Sequence, residues 1–132
     1  MRSVVALVIG LFAGVMLSVV AINTLRKGTA YPNGVMAVMS AQMGHLDRSL
    51  KSGACSSDDL AVPLATLMAL GNDLEPAFLP TADDALFSAL AADYRAAVEA
   101  AAERAPADCA QADATLDAIG ATCTACHQQF KG

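Results

Sequence analysis

The sequence predicts an all-α protein: an antiparallel up-down-up-down four-helix bundle, preceded by one N-terminal apolar segment. Three observations point there. Apolar residues make up 55% of the 132 residues, yet aromatics only 5%, and Trp is absent. Alanine, the strongest helix former and one of the least bulky residues, supplies much of the apolar share. Four stretches carry apolar residues at helical spacing, short links join them, and no strand-like alternation or glycine-rich phosphate loop intervenes. A core so poor in rings leaves room for something other than a side chain.

The N-terminal segment comes first. Val4 to Ile22 is 19 residues without a charge, bounded by Arg2 and by Arg26-Lys27. A membrane span needs roughly 17–25 apolar residues. Ala6, Gly10, Gly14 and Ser18 recur every four residues, a small-residue stripe of the kind that lets membrane helices approach one another. The run also fits a signal peptide, with Val19-x-Ala21 or Gly28-x-Ala30 as a small-residue cleavage site. Residues 1–28 are thus expected to be a transmembrane anchor or a cleaved signal peptide. Residues 31–132 are the working domain, exported in either case. The expected location is membrane-anchored with that domain in the periplasm, or soluble in the periplasm after cleavage. The flanking charges leave the orientation open.

The first bundle helix is expected over about Asn33–Lys51, with Val35, Met36, Met39, Met43, Leu46 and Leu50 at helical spacing and Ser52-Gly53 as its stop. The second follows Ser56-Ser57-Asp58-Asp59, a cap and an acidic first turn, and continues through Leu64, Leu67 and Met68 to Gly71. Pro63 removes a donor there and is expected to delay or kink the start. "NDLEPAFLPT", with two prolines, reads as a connection. The third helix starts after Thr81, with Asp83 and Asp84 in its first turn, and runs to about Arg104. Leu86, Phe87, Leu90, Tyr94 and Val98 are expected inward. The fourth covers about Asp108–Phe130, with Leu116, Ile119, Cys123, Cys126, His127 and Phe130 on one broad face.

Charge narrows the function. Residues 31–132 carry 13 Asp and Glu against 5 Lys and Arg, a balance of −8. No basic patch exists to meet phosphates, which excludes nucleic acid as a partner. The acidity suits encounter with a basic protein surface, or simply keeps the domain soluble. No carboxylate pair, Ser/His/Asp set or other acid–base group accompanies the motifs, so substrate turnover is not expected; the acids read as caps and solvated faces.

The chemistry is concentrated at the C-terminus. Cys123-Thr124-Ala125-Cys126-His127 is C-x-x-C-H, the attachment motif of c-type haem. Cysteines at i and i+3 lie on one helix face, so both thiols can bond the vinyl groups on one porphyrin edge. His127 follows directly and is a natural iron ligand. Phe130, three further on, can lie against the macrocycle. Two other readings fit less well. A thioredoxin-like pair sits near strands, and none is visible; a zinc site needs four ligands, drawn from Cys55, Cys109 or His45.

A haem motif on the last helix of a four-helix bundle, followed by Phe and a basic residue in "CTACHQQFKG", resembles the class II cytochromes c, the family of cytochrome c′ and its low-spin relatives. "YPNGVMAVMSAQMG" is similar to that family's opening helix, and "LEPAFLPTADDALF" to its link between second and third helices. The resemblance covers about residues 31–132. It implies one covalent haem c, thioethers at Cys123 and Cys126, His127 as proximal iron ligand, and the other haem face closed by the first helix. Met36 falls at the position facing the iron. It is either the sixth ligand, giving a six-coordinate carrier of single electrons, or packing alone, leaving a five-coordinate haem that binds NO or CO. Met39 and Met43 are lesser candidates, Met39 being read as haem packing. His45, on the far side of the helix, is expected to face solvent. The chain departs from the family at Pro32, where an arginine near the haem propionates is common. The implied partners are redox proteins, including a membrane complex; a homodimer is compatible.

Cys55 lies in the link between helices one and two, and Cys109 in the link between three and four. An up-down-up-down bundle puts those links at one end, so a disulfide between them is expected, with two unrelated loop thiols as the alternative.

Overall fold

The computed structural model describes residues 2–104 and 106–130, the side chains of 2–7 and 23–28 excepted. The side chains of Arg2, Ala6, Arg26 and Lys27, and the basic Lys131, lie outside the described residues. Those described form helices and no strand, as the alanine content requires: α1 Arg2–Ser52, α2 Ser57–Gly71, α3 Leu74–Phe78, α4 Asp84–Glu103 and α5 Cys109–Phe130. The chain divides into two units, Met1–Asn33 and Gly34–Gly132.

In the first unit the described apolar side chains are exposed, Leu17 at 72% and Phe12 at 68%. Gly10 and Gly14 adjoin open space, and the Ser18 hydroxyl donates to the Gly14 carbonyl at 2.8 Å. Here the anchor reading is corrected: among the described residues, no helix is long and apolar enough to cross a membrane. A membrane-anchored placement therefore does not stand. Pro32 brings a second difference. It lies within α1, which runs through the start expected at about Asn33 for the first bundle helix. A proline costs one backbone donor, and the helix continues on both sides of it.

The second unit is built by its caps. α1 stops at Gly53, whose φ of +78° suits glycine; its N–H donates to the Leu50 carbonyl and that of Ala54 to Ser49. Ser56 and Asp59 exchange side-chain-to-backbone hydrogen bonds at 3.2 and 3.3 Å, a capping box that starts α2 at Ser57. Pro63 sits buried inside α2 and does not delay it. Asp83 accepts from the Leu86 N–H at 3.0 Å to start α4, and Asp108 from the Gln111 N–H at 2.8 Å at the head of α5. The two-proline link contains the short α3. Pro76 occupies its first turn, where a missing N–H leaves no helical bond unmade.

One core runs through this unit: Val35, Met39 and Leu46 of α1, Leu60, Leu64 and Leu67 of α2, Phe87, Ala91, Tyr94 and Val98 of α4, Ala112 and Ile119 of α5. α4 packs on α2, α3 and α5. Buried alanines at 91, 101 and 112 have little bulk and let backbones approach closely. At α2's end Gly71 does the same: a Cβ there would meet the Arg95 Cγ at 3.0 Å and the Tyr94 Cε1 at 3.2 Å. Leu86, expected inward, is 38% exposed, because Phe87 takes the interior position in that first turn. Cys55 and Cys109 are bonded, with their Cα atoms 5.1 Å apart, so the expected disulfide is present.

Candidate functional site

The disulfide accounts for two of the four cysteines and leaves Cys123 and Cys126 as free thiols. Both lie on the last two turns of α5. The buried stripe of that helix descends through Ala112, Leu116 and Ile119 to Cys123, Cys126 and Phe130, steps of three and four that keep one face inward. The thiols are half-buried on the edge of the core. His127 is exposed, against its expected place on the inward face, because one residue past Cys126 turns the helix by roughly 100°.

Phe130 is half-buried and meets Phe87 edge-to-face, ring centroids 5.3 Å apart; Phe87 in turn meets Phe78 at 5.7 Å. Three of the chain's four phenylalanines therefore gather at the motif end of α5. Met39 is buried, Met36 and Met43 are half-buried against the same core, and His45 is exposed as expected. Two cavities, one lined by Leu46, Leu60, Leu64 and Ile119 and the other by Leu60, Ala65, Met68 and Ala101, involve neither cysteine of the motif.

Burial pushes both thiols above the ordinary cysteine range. At Cys123 the neighbouring Cys126 adds to this, while hydrogen bonds from its own backbone and from Thr122 oppose it. A redox-catalytic C-x-x-C does the reverse, holding a thiol low enough to be a thiolate at neutral pH. Nor is this a metal cluster of the zinc type: among the described residues no group of three or more His, Cys, Asp or Glu side chains is placed to hold an ion.

The residues present fit a covalently held porphyrin in their chemistry. Two free thiols stand one helical turn apart, an imidazole follows at once, and Phe130 with Phe87 gathers at the same end of α5. Tyr94, read as one more inward position of the third helix, is buried, and its hydroxyl donates to the Leu67 carbonyl at 3.0 Å.

No protein-family model matches the chain, and no curated protein or solved structure matches it.

Proposed function

We propose that this chain is a monohaem c-type cytochrome of the class II kind, passing single electrons between redox partner proteins. One observation carries the reading: the only thiols left outside the disulfide stand one turn apart on the core edge of α5, directly ahead of a free-standing imidazole. In this reading α1 from Gly34, α2, α4 and α5 form the antiparallel up-down-up-down bundle. The Cys55–Cys109 bond supports that order, since it ties the α1–α2 link to the head of α5.

Bound haem supplies a one-electron iron couple. Cys123 and Cys126 would hold it as thioethers, and His127 would offer an imidazole nitrogen to the iron. Met36, half-buried on α1, would be the candidate sixth ligand, with Met39 and Phe130 as packing. The carboxylates of the domain favour encounter with a basic partner surface. Optical spectra of the haem-loaded protein in both oxidation states test this, with and without carbon monoxide. Ligation by Met36 predicts a low-spin reduced spectrum indifferent to the gas. Prompt binding of carbon monoxide would refute Met36 ligation and favour the five-coordinate, gas-binding alternative.

A further inference from the structure

Beyond its capped first turn, α2 carries no charged side chain from Leu60 to Gly71. Leu60, Leu64 and Leu67 turn into the core, but Ala61, Val62, Ala65 and Met68 are exposed, Val62 at 72% and Met68 at 44%. A surface helix ordinarily sets charged or polar residues on its outer face. Beside this uncharged face lies an open groove of about 280 Å³, walled by Ala61, Ala65 and Met68 of α2 and by Ala101 and Ala102 of α4. Alanine walls have little bulk and admit a helix closely, and the flexible Met68 adapts to what lies against it.

The charge at the groove has one sign. Asp58, in the first turn of α2, lines it, and among the described residues no cation does. The neighbouring Asp59 is engaged by Ser56 in the capping box. The Asp58 carboxylate has no ion pair among the described residues. An apolar trough with an unpaired carboxylate at one end is complementary to an amphipathic helix that carries a lysine or arginine at the matching end. The same carboxylate disfavours an anionic lipid surface.

We propose that the groove between α2 and α4 docks an amphipathic helix of a partner protein, its apolar side on the alanine walls and a basic residue against Asp58. No residue of the C-x-x-C-H motif lines this groove, so the proposal does not rest on the cytochrome reading.

The chain has no Trp, so a synthetic helix of Leu, Ala and Lys with a single Trp reports its own burial by fluorescence. The expected result with the full chain is saturable binding, and binding about tenfold or more weaker to Ala65→Glu, which sets a charge under the apolar side of the peptide. Ala65→Glu also makes the protein more acidic, so general electrostatic attraction would tighten binding. Unchanged or tighter binding therefore overturns the proposal. Asp58→Asn should weaken binding about two- to fivefold, and a peptide with Glu in place of Lys should bind less well than the basic one; equal binding of the two peptides overturns the proposal. Circular dichroism checks that each variant folds, and Ala102→Glu, at an exposed position on the facing wall, gives the same comparison should Ala65→Glu unfold. Sedimentation of the full chain without peptide tests the other occupant. A dimer that Ala65→Glu dissociates would place a second copy in the groove and overturn the proposal.

Discussion

Reduction of the Cys55–Cys109 disulfide is a perturbation whose size can be worked from the structure. The bond closes a loop across a sequence separation of 54. In the chain-entropy model, removing such a cross-link frees the unfolded chain by about 4 kcal/mol. The unit Gly34–Gly132 is of a size for which 1 kcal/mol moves the unfolding midpoint by about 4–8 °C. A fall of roughly 15–30 °C follows. Cys55 is buried while Cys109 is exposed, so a reductant has access through the Cys109 sulfur. The assay is thermal unfolding followed by far-ultraviolet circular dichroism, with and without dithiothreitol. The double variant C55A/C109A is the control; it should start from the lowered midpoint and ignore the reductant. A wild-type midpoint that drops by less than a few degrees would refute the reasoning, because the cross-link would then add little beyond what packing already secures.

Three further outcomes are expected. In the haem-free protein the Cys123 and Cys126 thiols should alkylate more slowly at neutral pH than in urea, since burial raises both; equal rates would contradict their half-buried placement. The sign for stability follows from the same shift. The unfolded thiols ionise near pH 8.5 and the folded ones higher, so stability is held below that pH and falls as pH rises through it. Ile119→Ala removes a fully buried side chain and should cost about 2–5 kcal/mol, against about 0.5 kcal/mol or less for Leu86→Ala at its exposed position; chemical denaturation measures both, and similar losses would contradict the packing described.

The helices of the second unit were legible because their ends are written in side chains. Ser56 with Asp59, then Asp83, Asp108 and Gly53 mark boundaries that the hydrogen bonds reproduce. The disulfide was legible because its cysteines fall beside two links that alternating helices bring together. α3 was hidden because five residues carry no periodicity, and its Pro76, usually a breaker, lies where a helix tolerates it. Leu86 and His127 turned outward because each neighbours a residue that claims the interior, Phe87 and Cys126. The apolar run Val4–Ile22 read as a membrane span, yet among the described residues no helix is long and apolar enough to cross a membrane. The motif itself was plain in sequence. What its spacing could not convey is that Phe87 of α4 and Phe78 of α3 gather with Phe130 at that end.

The central claim is a covalent bond, and a denaturing gel tests it most directly. The full chain, expressed where c-type haem is matured, should give a haem-staining band at its own mass. The band should vanish in the double variant C123A/C126A while the protein persists. Staining that survives the loss of both thiols, or a colourless wild type from the same cells, would contradict the account.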